Sequence, residues 1–150
     1  MFDWLANPNR FNRITEKIQP CILFITIITL ISGLYFGLFD SPKDYQQGDA
    51  VRIMYVHVPS AWLASFLYFS LAISCVFYLV WKHPLADLVS SSIAPIGALF
   101  SVLTLVTGSL WGKPMWGTWW VWDARLTSML VLFFFYVGYI LLSNAFERKI

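Results

Sequence analysis

The sequence predicts an all-α integral membrane protein with four transmembrane helices and a tryptophan-rich loop between the third and fourth. Three observations carry that prediction. The 150 residues are 59% hydrophobic and only 12% charged, whereas a soluble domain carries about 25% charged residues. Four uncharged runs, Cys21–Phe39, Ser60–Trp81, Leu88–Gly112 and Leu126–Phe146, are each long enough for a bilayer core, which takes roughly 20 residues of helix. Five of the eight tryptophans (Trp111, Trp116, Trp119, Trp120 and Trp122) lie together where the third run gives way to the fourth.

The spans are expected at about 21–39, 60–81, 90–111 and 126–146. The first run exceeds the h-region of about 7–15 residues in a signal peptide, and no small-x-small cleavage site follows it, so it reads as a retained helix. The second would measure roughly 33 Å at about 1.5 Å per residue, a comfortable span. Pro95 falls in the first half of the third and is expected to kink it. On the same run, Thr104, Thr107 and Ser109 can bond their own backbone or a neighbouring helix. No repeat, low-complexity tract or boundary interrupts the chain, so residues 1–150 read as a single membrane domain.

Orientation follows from the cations. Arg10, Arg13 and Lys17 precede the first span, Lys82 lies between the second and third, and Arg148 and Lys149 follow the fourth. Lys43 and Arg52 in the first loop, with Lys113 and Arg125 in the third, are the opposing set. The larger set, with its cluster before the first span, places both termini in the cytoplasm. The loops Asp40–Pro59 and Trp111–Thr127 then emerge together on the outer face. Pro59 suits the first turn of the second helix, where its missing N–H costs nothing. On that reading His57 lies just outside the helix, level with the tryptophan loop.

Net charge of +2 is too small and too dispersed for a nucleic-acid surface. Cys21 and Cys75 sit inside apolar runs without metal or c-type haem attachment spacing. No nucleophile has an adjacent base, no carboxylates pair, and no glycine loop fits a phosphate, so the chain does not read as an enzyme.

The tryptophan loop admits two readings. It could be an interfacial aromatic belt, or a platform for a flat, amphipathic ligand. Five indoles on one connection exceed what a belt needs, and Gly112, Pro114 and Gly117 shape a backbone rather than anchor it. His57 is either an interfacial polar residue or a ligand. Neutral imidazole is the commonest metal ligand, and a histidine beside aromatic walls suits haem iron better than a bare ion, which would want several convergent donors. Asp123 can cap the fourth helix, with Arg125 marking the membrane edge. Arg125, Lys113 and Arg52 are the outer-face cations available to a ligand's carboxylates. His83, in K-H-P, reads as a solvated residue on the inner face.

The motif W-G-K-P-M-W-G-T-W-W-V-W-D-A-R-L-T, from Trp111 to Thr127, follows R-I-M-Y-V-H-V-P-S-A-W, from Arg52 to Trp62. Together they resemble the tryptophan-rich haem-handling membrane proteins of cytochrome c biogenesis, most closely the C components of the cytochrome c maturation system (CcmC). The resemblance spans essentially the whole chain. It implies haem b, bound non-covalently as a handled substrate at the periplasmic face of the bacterial inner membrane. It further implies His57 as an axial iron ligand, with Trp111, Trp116, Trp119, Trp120, Trp122, Asp123 and Arg125 around the porphyrin. Implied partners are the A, B and D components of an ATP-driven transporter and a membrane-anchored periplasmic haem chaperone, the E component. The family pattern has six spans and a second axial histidine in a later periplasmic loop, so residues 1–150 are expected to be an N-terminal portion of that architecture. Two rivals stand beside haem presentation: a subunit that exports haem or another solute, and an assembly partner that binds no haem. Transport paths usually need polar or ionisable groups within spans, and the four uncharged runs have no charged residue.

Overall fold

The computed structural model describes residues 8–147, so Arg148 and Lys149 of the charge comparison lie outside the described residues. Its long elements are four α-helices: α1 (Pro8–Tyr35), α2 (Val51–Trp81), α3 (Pro84–Trp116) and α4 (Ala124–Glu147). Four helical segments are long and apolar enough to cross a membrane: Arg10–Asp40, which runs from α1 through the π-helical turn that follows it, then Val51–Trp81, Leu85–Trp116 and Ala124–Ala145. The chain is an all-α, multi-pass membrane protein. It divides into two compact units, Met1–Ser41 and Pro42–Ile150.

In the first unit, α1 passes into a single π-helical turn, Phe36–Asp40. The Ser41 hydroxyl donates to the Gly37 carbonyl oxygen at 2.8 Å and closes that turn. Ile22, Phe24 and Ile31 are exposed, as side chains meant for lipid must be.

In the second unit, α3 packs against both α2 and α4. The core sits around Tyr136 of α4, which is fully buried with Leu71 of α2 and Ala94 of α3. Its hydroxyl donates to the Ala64 carbonyl oxygen at 2.7 Å, and Tyr68 meets its ring edge-on at 5.5 Å. The close approach depends on Gly97, where a Cβ would run into the Tyr136 ring. The α2–α3 connection is short. Lys82 adopts the left-handed conformation, φ 52°, and its N–H bonds the Tyr78 carbonyl at 2.8 Å. His83 is extended, as a residue before proline should be, and half-buried rather than fully solvated.

The helix ends near the tryptophans differ from the sequence expectation. Helix α2 begins at Val51, so Pro59 lies inside it and His57 is helical rather than outside the helix. An internal proline removes one backbone bond, a loss that membrane helices tolerate when nearby groups compensate. Helix α3 likewise runs through Pro114 to Trp116, so Trp111 and Trp116 are helical. The connection to α4 shrinks to residues 117–123. Gly117, at φ 77°, ends α3 with its N–H on the Lys113 carbonyl at 3.0 Å.

These extensions carry α2 (31 residues) and α3 (33 residues) to roughly 46 and 50 Å, well beyond a hydrocarbon core of about 30 Å. Helix α4, with 24 residues, measures roughly 36 Å. A Cβ at Gly108 would lie 3.1 Å from both His57 Cε1 and Leu126 Cδ2. His57, Gly108 and the first turn of α4 are therefore level. The last two turns of α3 rise past that level.

Candidate functional site

Where α2 starts, α3 ends and α4 starts, the three helices enclose a cleft of about 290 Å³. Met54, His57 and Ala61 of α2 line one side, at a spacing that puts them on one helix face. Thr104, Gly108, Trp111 and Trp116 of α3 form the second wall, and Asp123, Arg125, Leu126 and Met129 the third. The lining is mostly apolar with a few polar groups, His57, Thr104, Asp123 and Arg125, the usual make-up of a ligand pocket. The volume is at the lower end of the ~300–1,000 Å³ common for such pockets, so a large flat ligand would be gripped along part of its surface.

His57 is half-buried, and its Nδ1 lies 3.0 Å from Thr107 Oγ1 on α3. Among the described residues lining the cleft it is the sole imidazole. Among the described residues, no group of three or more His, Cys, Asp or Glu gathers anywhere. Whatever His57 contacts, a multidentate protein cage for a bare ion is absent from this part of the chain.

The loop before α2 takes part in positioning. Asp44 Oδ1 accepts from the N–H groups of Gln46 and Gln47 at 2.9 and 2.8 Å, and Asp44 and Gly48 exchange backbone bonds at 3.2 and 2.9 Å. Gly48 supplies the positive φ of 58° that so tight a loop needs. Asp49 closes the loop onto Lys43 at 2.8 Å, and that bond holds its carboxyl below the usual carboxylate range. Thus braced, Gln47 accepts a hydrogen bond from Trp111 Nε1 at 2.9 Å. Trp111 in turn meets Trp116 edge-to-face at 5.0 Å.

Asp123 caps α4: its Oδ1 accepts from the Leu126 N–H at 2.9 Å. Its Oδ2 takes Nε and a terminal nitrogen of Arg125, both at 2.9 Å. The Leu126 amide first, then Arg125, keeps the carboxyl below its ordinary range. The Arg125 guanidinium lies 5.2 Å over the Trp116 ring, placing a cation at the mouth of the cleft.

The sequence candidates thus divide. His57, Trp111, Trp116, Asp123 and Arg125 line the cleft, while Trp119, Trp120 and Trp122 do not. Trp119 and Trp122 are exposed, at 54% and 75%. Trp120 stacks edge-on against Trp122 at 5.3 Å, and its buried Nε1 has no hydrogen-bond partner among the described residues. Lys113 donates to the Gly117 carbonyl at 3.0 Å and sits 5.8 Å over Trp119. His83, at the far end of α2, has no part in the cleft.

Sequence reasoning missed Gln47, Met54, Ala61, Thr107 as a partner of His57, and Met129. Met54 and Ala61 carried a usable signal, their i−3 and i+4 spacing from His57, once α2 is allowed to begin before Pro59. Gln47 carried none, because its role depends on how the preceding loop folds.

The sequence matches the CcmC family, described as heme exporter protein C, over residues 1–150. Proteins named heme exporter protein C are similar throughout. The Haemophilus influenzae relative is 52% identical over 152 residues, covering 99% of this chain and 62% of that protein. The Bradyrhizobium diazoefficiens relative is 51% identical over 143 residues, covering 95% and 54%. The Escherichia coli relative is 49% identical over 145 residues, covering 97% and 59%. The chain therefore spans a little over half the length of these curated relatives. With every one of its residues inside the family match, the chain belongs to the CcmC family of heme exporter C proteins.

Proposed function

We propose that these residues form a haem-binding cleft at the membrane rim, which holds haem b non-covalently and presents it for c-type cytochrome assembly. The observation that carries this reading is the convergence of one imidazole, two indoles and a paired cation on a single apolar cleft. A histidine is a standard axial ligand to haem iron. The Trp111 and Trp116 rings offer an apolar wall with the edge and face geometry aromatic partners favour. Arg125 and Lys113 supply charge for propionates, and Trp119, Trp120 and Trp122 extend the aromatic surface beyond the cleft. The names of the relatives, heme exporter protein C, agree with haem as cargo.

The cleft lies at the ends of the helices. The buried hydroxyls further down α3, those of Ser90 and Ser101, donate to carbonyls of their own helix. That arrangement favours presentation at a surface over passage of a polar solute. In this reading the cleft faces the periplasm of the bacterial inner membrane and both termini of these 150 residues are cytoplasmic. Residues 1–150 are the N-terminal portion of a six-span architecture, whose later part supplies a second axial histidine. The partners are the A, B and D transporter components and the E chaperone. The test is the haem absorption spectrum of the full-length protein in detergent, beside that of His57→Ala. Loss or change of the axial-ligand signature is expected; an unaltered spectrum removes His57 from the iron.

A further inference from the structure

The geometry points to Thr107 as the residue that fixes the tautomer of His57, leaving Nε2 as a bare lone pair before any iron arrives. The inference deepens the reading of His57 as an iron ligand and rests on it only for its purpose. A hydroxyl has one hydrogen to give. Thr107 Oγ1 lies 2.7 Å from the Leu103 carbonyl oxygen, one turn earlier on α3, and 3.2 Å from the Thr104 carbonyl oxygen. The shorter contact takes the hydrogen. Were the hydroxyl turned toward His57 instead, two oxygens would face each other at 2.7 Å with no hydrogen between them.

Toward His57 Nδ1, 3.0 Å away, Thr107 Oγ1 can therefore only accept, and the Thr104 carbonyl, a second hydrogen-bond partner of the ring, is an acceptor as well. Nδ1 carries the proton, and in a neutral imidazole the other nitrogen is then unprotonated. Metal-ligating histidines commonly donate their second N–H to an oxygen that sets both tautomer and ring orientation, and Thr107 occupies that place. Two further features hold the arrangement. Thr107 is buried, 8% exposed, which keeps water from competing for Nδ1. Gly108 lets the ring lie against α3, since a Cβ there would come within 3.1 Å of Cε1 and 3.6 Å of Nδ1. Thr107 is a positioning residue, acting through His57.

The test uses full-length protein labelled with ¹⁵N at histidine, free of haem, at pH 8, with the His57 signals assigned by their loss in His57→Gln. Wild type is expected to show Nδ1 as an N–H nitrogen and Nε2 as an unprotonated one. Thr107→Val, which keeps the shape and removes the hydroxyl, should move Nε2 toward the protonated shift, and Thr107→Ser should restore the wild-type pattern. A protonated Nε2 in wild type, which requires no variant to fold, overturns the inference. So does a Thr107→Val spectrum identical to wild type. Haem titrations separate this from the reading beneath it. Thr107→Val should weaken haem binding by about 10–100-fold, with Thr107→Ser close to wild type. If His57→Gln binds haem as wild type does, the iron-ligand reading fails, while the haem-free spectra still decide the tautomer.

Discussion

Trp111 and Gln47, 64 positions apart in the sequence, are joined by an indole N–H donated to a side-chain carbonyl at 2.9 Å. The bond ties the loop before α2 to the final turns of α3, and it sets the plane of the indole that walls the cleft. Gln47→Ala should free that indole and weaken haem binding by about fivefold, the equivalent of about 1 kcal/mol for one hydrogen bond. Gln47→Glu keeps an acceptor and should bind nearly as wild type. Haem titration of both variants checks the pair.

Gly97 is where α3 comes closest to Tyr136. A methyl group there collides with the ring, so Gly97→Ala should destabilise by about 1–3 kcal/mol, as overpacking does, despite alanine's better helix propensity. At Gly33 of α1 a Cβ would meet nothing within 4 Å, so Gly33→Ala should be neutral or mildly stabilising. Thermal unfolding in detergent distinguishes the two.

Asp123 should give the α4 cap an acid limit. Its folded-state carboxyl titrates below the ordinary value, chiefly through the Leu126 amide. Its contribution is therefore complete above the usual carboxylate range, near pH 4, and disappears only as pH falls through the lowered value. Asp123→Ala should unfold at a lower temperature than wild type at neutral pH, and the two curves should converge at the acid end. Unfolding midpoints measured from pH 8 to pH 3 test this.

Arg125 is exposed and bonded to its near neighbour Asp123, so Arg125→Ala should barely change unfolding, as expected for a surface pair. Haem affinity should fall severalfold at low ionic strength and less at high salt, because exposed charge pairing is screened. Titrations at two salt concentrations measure the difference.

The spans were legible from hydropathy, because transfer into lipid selects long uncharged runs, and all four lie within helices of the structure. The helix ends were not. Pro59 and Pro114 resemble terminators although each costs only a single backbone bond in a helix otherwise intact. His57, Asp123 and the tryptophans stood out by residue type and position. Which indoles face the cleft depended on α3 continuing to Trp116, and the roles of Gln47 and Thr107 depended on contacts between segments more than 45 residues apart. Periodicity says nothing about such contacts.

The hydroxyls of Ser90, Ser101, Thr104 and Thr107 donate to carbonyls one turn back on the same helix. A segment that meets its own polar demands in this way has no need of neighbours to enter hydrocarbon.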